Sequence, residues 1–260
     1  MNILFLGDIV GRPGRHTVRD LLPSIVREHA IDFVIANAEN IAGGVGATPA
    51  LVEEMRSYGI DLFTLGNHTW RKREMVSGID ALPTIARPAN YPPSAPGAGT
   101  AVHRFPDGTC LAVINLIGRI FMEPVDCPFL QASRELEALP PETTYIIVDM
   151  HAEATSEKAA MAWHLDGRCT AVIGTHTHVQ TADERVLPKG TAFISDAGMC
   201  GPYNSILGVE KERVIEKLIT GIPLKWEVAT GPTQLNGVII EAAPSGKARS
   251  IRRIRKVEHQ

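Results

Sequence analysis

Six short apolar runs set the frame of this chain: NILFLG (2–7), DFVIANA (32–38), DLFTLG (61–66), CLAVINLIG (110–118), TYIIVDM (144–150) and TAVIGT (170–175). They are rich in Val, Ile, Leu and Phe and do not alternate with polar residues, so they predict strands covered on both faces. Amphipathic stretches such as RHTVRDLLPSIVREHA (15–30) and PALVEEMRSYG (49–59) lie between several of them. Thr48 predicts the N-cap of the second stretch, with Pro49 at its first helical position. Strand, helix, strand is the grammar of an α/β fold.

After residue 185 the pattern turns mostly strand-like, in TAFIS (191–195), PLKWEVA (223–229), NGVIIEAA (236–243) and KARSIRRIR (247–255). These segments are expected to complete a second, more antiparallel sheet. ARPANYPPSAPGAG (86–99) reads as an irregular crossing or surface loop rather than a linker, because strand patterns resume directly after it. One domain over 1–260 is therefore expected.

Charge excludes some functions. Lys and Arg number 26 against 29 Asp and Glu, a formal charge of -3, so no global field draws the chain to nucleic acid or an anionic membrane. The exception is KARSIRRIRKVEHQ, where six Lys and Arg fall in the last 14 residues. Interleaved Ile251, Ile254 and Val257 favour a solvated strand or helix face over a nucleic-acid patch. Cys110, Cys127, Cys169 and Cys200 show no C-x-x-C spacing and are expected to be reduced. MNILFLGDIV lacks a basic n-region and reads as a first strand, and no apolar run approaches the ~18 residues of a membrane span. A cytoplasmic protein that avoids membranes is the expectation, with a homo-oligomer the default assembly.

Almost every early strand runs into a residue that can bind a metal. The first leads to Asp8, the second to Glu39 and Asn40, the third to Asn67 and His68, a later one to His151, and the last to His176 and His178. Taken singly, Asp8 could cap a helix, Asn67 fill a turn, and each His be a satisfied structural histidine. In an open α/β sheet, however, residues beyond the carboxyl ends of strands line one crevice, so these segments should converge. Carboxylate and amide oxygens mixed with imidazoles suit Mn, Fe, Co or Zn, with Fe or Mn favoured. About seven donors exceed one tetrahedral ion, and two ions sharing a carboxylate, roughly 3.5–4 Å apart, would use them all. In an extended segment, His176 and His178 would point the same way while Thr177 faces away.

The order Asp8, Glu39-Asn40, GNH (66–68), His151 and GTHTH (174–178) resembles the calcineurin-like metallophosphoesterase superfamily. GDIVGRPGR, ANAENIAGG, LGNHTW, HAEATSEK and SDAGMCGPYNSILG look like its YmdB-type branch over nearly the whole chain. That resemblance implies an αββα sandwich of two mixed β-sheets flanked by helices. It also implies two divalent or trivalent transition-metal ions. Glu39 would bridge them, with Asp8, Asn40 and His178 on one and Asn67, His151 and His176 on the other. His68 would be the catalytic group, protonating the leaving oxygen or stabilising phosphoryl charge. The superfamily's usual Asp-x-His opening is here Asp8-Ile9-Val10, and the acid that commonly follows its GNH is replaced by Thr69-Trp70.

The implied activity is metal-dependent hydrolysis of 2′,3′-cyclic nucleotides or related small phosphodiesters by a hydroxide shared between the ions. The alternatives are a metal hydrolase of a non-phosphate bond and a regulatory module that keeps the pocket but contacts RNA or a protein partner. Thr155 or Ser156 is expected to cap the helix after His151, with phosphate binding at that helix start the second option. Tyr203 and Asn204 lie in a loop that either shapes the pocket, with Tyr203 stacking on a base, or forms a plain turn.

Overall fold

The computed structural model describes residues 1–258, so His259 and Gln260 of the basic tail lie outside the described residues. The first half of the chain lays down β1 (Asn2–Leu6), β2 (Asp8–Ile9), α1 (Gly11–Glu28), β3 (Phe33–Asn37), α2 (Pro49–Ser57), β4 (Leu62–Thr64), α3 (Arg73–Gly78) and β5 (Ile85–Ala86). The middle adds β6 (Thr100–Arg104), β7 (Cys110–Ile117), α4 (Pro128–Ala138), β8 (Thr143–His151), α5 (Thr155–His164) and β9 (Ala171–Thr175). The remainder forms β10 (Arg185–Val186), β11 (Ala192–Ile194), β12 (Met199–Pro202), α6 (Lys211–Thr220), β13 (Thr233–Ala242) and β14 (Ala248–Glu258).

Two mixed sheets result. The first runs β2-β12-β13-β1-β3-β4-β5, with β14 on β13, and the second runs β10-β11-β9-β8-β7-β6. In the first, β1, β3, β4 and β5 are parallel and β13 is antiparallel to β1. In the second, β7, β8, β9 and β11 are parallel and only β6 and β10 turn against them at the edges.

Continuous apolar runs follow from burial on both faces. Ile3, Phe5, Ile35, Val238 and Ile240 of the first sheet pack against Leu111, Val113, Ile147 and Ile173 of the second. Their neighbours Leu4, Leu6, Val34 and Phe63 face the other way, onto Val18, Leu22 and Ile25 of α1 and Val52 and Met55 of α2. Across the molecule, Ile114, Val148 and Val172 face Ala132 of α4 and Met161 of α5. Helix, sheet, sheet, helix is the order of layers. Thr48 caps α2 by accepting from the Leu51 N–H, with Pro49 in the first turn. Among the described residues no helix is long and apolar enough to cross a membrane.

The tail departs from expectation. β13 and β14 pair antiparallel in the first sheet instead of building the second, because β13 inserts beside β1. PLKWEVA is no strand either; it contributes only an isolated bridge between Val228 and Val209.

Candidate metal centre

The polar strand ends do meet. Asp8, Glu39, Asn40 and His151 are buried, while Asn67, His68, His176 and His178 are half-buried. Glu39 lies between two groups. Its Oε1 accepts from Asn40 Nδ2 at 3.1 Å, and Asn40 Nδ2 is 3.3 Å from His178 Nε2, which lies 3.7 Å from Asp8 Oδ1. Its Oε2 lies 3.3 Å from His151 Nε2, which in turn is 2.9 Å from Asn67 Oδ1 and 3.2 Å from His176 Nδ1. Ligand atoms of Glu39, His151 and His176 all fall within 4.8 Å of one another. Gly66 permits this approach, since a Cβ there would collide with both Glu39 and His151.

Each imidazole is tethered by its outer nitrogen. His151 Nδ1 is 2.9 Å from the Thr175 hydroxyl, which itself donates to Asp149 at 2.6 Å and so must accept from the ring. His178 Nδ1 donates to the Leu207 carbonyl at 2.9 Å, and His176 Nε2 is 3.1 Å from the Glu153 carboxylate. An outer N–H donated to an oxygen leaves the inner nitrogen as a lone pair. His151 Nε2 then faces three other acceptors: Glu39, Asn67 Oδ1 and His176 Nδ1. One proton could satisfy only one of those contacts, whereas a cation would satisfy them together.

The charges say the same. Burial, and then the field of Glu39, pushes the Asp8 carboxyl well above its ordinary range. Asp8 Oδ1 is buried with no hydrogen-bond partner, while Oδ2 accepts from the His176 N–H at 3.1 Å. Burial opposes ionisation of Glu39 too, but the hydrogen bonds it accepts from His68 favour its charged form and its pKa lies below normal. Burial lowers His151 to about 3 and lowers His176 and His178 as well, keeping all three neutral. Two buried carboxylates and three neutral imidazoles with inward lone pairs fit a divalent ion.

His176 and His178 do not sit on an extended segment. β9 ends at Thr175, and the two histidines take left-handed φ angles of 95° and 64°. Such backbone is costly for non-glycine residues and persists only when the surroundings fix it. Asp196 does so: its Oδ2 accepts from the Thr177 N–H at 3.0 Å and from the Thr177 hydroxyl at 2.7 Å. The same oxygen accepts from buried Lys158 Nζ at 2.9 Å. Thr177 faces away from the cluster as expected, and the turn sends the histidines toward opposite groups.

His68 is held without a following acid. Its Nδ1 is 2.7 Å from Asn40 Oδ1 and 3.2 Å from Glu39 Oε1, and its N–H donates to Glu39 Oε2 at 3.0 Å. Asn40 thus turns its Oδ1 to His68 and its Nδ2 to Glu39 and His178.

This arrangement of strand ends accompanies a match of residues 4–254 to the model of the YmdB-like protein family. The chain belongs to that family. It is 48% identical to the 2′,3′-cyclic-nucleotide 2′-phosphodiesterase of Bacillus subtilis, over 93% of this chain and 91% of that protein. It is 36% identical to a putative phosphatase/phosphodiesterase of Mycoplasma genitalium, over 93% and 87%. A Thermus thermophilus protein solved as hypothetical superposes with a TM-score of 0.93 at 40% identity, over 99% of this chain and 100% of that one. A Thermus thermophilus 5′-nucleotidase precursor shares the fold alone, with a TM-score of 0.58 at 13% identity over 98% of this chain and 54% of that one.

Other features of this YmdB-like chain escape sequence reading. Asp149 lies inside an apolar run, yet it receives Thr175, Thr64 and Asn37, and burial raises it to about 7. Glu153, Lys158 and Asp196 fall in HAEATSEK and SDAGMCGPYNSILG without announcing their roles. Capping differs from expectation: α1 starts after Val10 and α5 after Ala154, each without a side-chain cap, so neither Asp8 nor Thr155 nor Ser156 caps a helix. Thr155 is exposed on the first turn of α5, and Tyr203 and Asn204 are exposed on the loop after β12.

Proposed function

We propose that the chain is a metal-dependent phosphodiesterase acting on 2′,3′-cyclic nucleotides or related small phosphodiesters through two transition-metal ions, Fe or Mn for preference. Convergence of acceptors on His151 Nε2 on one side of Glu39, with the unpartnered buried oxygen of Asp8 near His178 on the other, carries this reading. The phosphodiesterase name of the relative at 48% identity supports the reaction class. Residues 1–260 are read as one functional unit, because both sheets contribute strand ends to the cluster.

Asp8, Asn40 and His178 would hold one ion, Asn67, His151 and His176 the other, and Glu39 both. Asn40 would serve through its oxygen, which requires its amide to turn over. Bound there, the ions supply positive charge to the phosphate and activate water for attack on phosphorus. The chain does the rest. The tethers at Thr175, Leu207 and Glu153 fix the imidazoles before substrate arrives. His68, held through Nδ1, keeps Nε2 free to deliver a proton to the departing ribose oxygen.

Assembly as a homo-oligomer fits α6, which buries no residue and leaves Leu218 and Ile219 76% and 79% exposed. Light scattering tests it: a single-chain mass would discard the assembly.

Metal analysis of the purified protein, paired with 2′,3′-cyclic AMP turnover, tests the main reading. About two metals per chain are expected, lost in Glu39→Ala, with activity lost but metal kept in His68→Ala. One metal or none, with no turnover after adding Mn or Fe, would move the assignment to a regulatory module that binds RNA or protein.

A further inference from the structure

Next to the proposed centre lies a groove of about 580 Å³ whose lining includes His178 and an arginine wall from β14, where Arg253 and Arg255 share one strand face and Arg252 alternates to the other. The one carboxylate in its lining, Glu184, pairs with Arg253 at 2.8 Å. Arg255 has no acidic partner among the described residues; its guanidinium lies 5.5 Å from the Tyr203 ring centroid. Arg253 and Arg255 are two apart on a strand and so recur on one face at about 6.5 Å. Tyr203, 38% exposed, borders the same space. Two cations on one strand face beside an exposed aromatic ring are parts of a site for a single nucleic-acid strand.

We infer that this groove binds the strand 5′ to a 2′,3′-cyclic phosphate at an RNA terminus, so that RNA ends, and not only free cyclic nucleotides, are substrates. The inference rests on the phosphodiesterase reading for its chemistry. A cyclic phosphate at the centre belongs to a ribose whose 5′ oxygen, in RNA, carries the next phosphate. With His178 shared by centre and groove, that phosphate would enter the arginine wall. Water adds to phosphorus, one P–O(ribose) bond breaks, and the freed ribose oxygen takes a proton, leaving a phosphomonoester on the strand. No other reactant is needed.

The test compares kcat/KM for 2′,3′-cyclic AMP with that for a short oligoribonucleotide ending in the same cyclic adenylate, in wild type and Arg255→Gln. We expect the oligonucleotide to be favoured by about tenfold at low salt, the advantage to shrink as salt rises, and most of it to vanish in Arg255→Gln. Turnover of the mononucleotide should stay within about twofold, since phosphate contacts here lie outside the centre. Equal kcat/KM for the two substrates would overturn the inference and leave the phosphodiesterase intact. If neither is hydrolysed, the phosphodiesterase reading falls, and anisotropy of a 5′-labelled oligoribonucleotide decides the groove. Binding weakened about fivefold by Arg255→Gln would sustain it; absent or unchanged binding would end it.

Discussion

The centre and the groove meet at His178 but are built in opposite ways. The centre collects side chains from the ends of strands in both sheets, buries most of them and ties each imidazole to an oxygen behind it. The groove takes its charge from β14, which among the described residues pairs only with β13, and Arg252, Arg253 and Arg255 are all exposed. Convergent strand ends give fixed positions, which suit a small ion. An edge strand gives long cationic arms, which suit a flexible polyanion and also discourage another chain from adding to the sheet. If this contrast is real, substitutions behind the centre should be costly and specific, and those along the groove mild and salt-dependent.

The largest effect is expected at Lys158. It is wholly buried, and Asp196 is its buried partner at 2.9 Å. Lys158→Met would leave an uncompensated charge in the interior, costing about 3–5 kcal/mol. Urea melts measure this. Because Asp196 also holds Thr177, metal affinity should fall with stability, as the strained 176–178 turn loosens. A variant that melts like the wild type would show that the turn is held by other contacts.

Asp149→Asn should act more narrowly. The carboxylate anchors Thr175, which anchors His151, so a neutral amide weakens the acceptor behind the ring while keeping its shape. Metal affinity is expected to drop about 10–100-fold, as for other partners behind a ligand. Competition with a chelator measures it, and the melting temperature should change little. Full affinity in this variant would break the claim that the centre is pre-set from behind.

Much of the contrast is legible in the sequence on one side only. Doubly covered strands show as unbroken apolar runs, and acids, amides and histidines at their ends stand out against that background, so the order of residues alone names the members of the cluster. Asp149 escapes, because a carboxylate inside TYIIVDM looks like noise until Thr64, Thr175 and Asn37 are seen around it. The left-handed turn at 176–178 is hidden for a related reason. Its geometry depends on Asp196, which lies 19 residues from Thr177, and periodicity carries no such long-range information. The tail differs in its pairing: β13 and β14 are recognisable as strand-forming segments, but which sheet they join is decided by the space beside β1. PLKWEVA has strand-forming residues and no neighbour to pair with over its length.

The smallest effect should come from Arg253→Gln. Its bond to Glu184 joins side chains that are 39% and 21% exposed, so solvent screens the pair and its loss should cost under about 1 kcal/mol. A shift that small in a urea melt would mark the groove as a surface that adapts. A larger one would mean that Arg253 braces β14 against the segment holding Glu184, and part of the arginine wall would then be framework. Salt separates the two cases. If the side chain serves mainly as an arm for phosphate, its removal should leave stability nearly flat in salt while lowering the salt slope of oligoribonucleotide binding by about one charge. If it serves mainly as a brace, the stability loss should shrink as salt rises and the binding slope should not move.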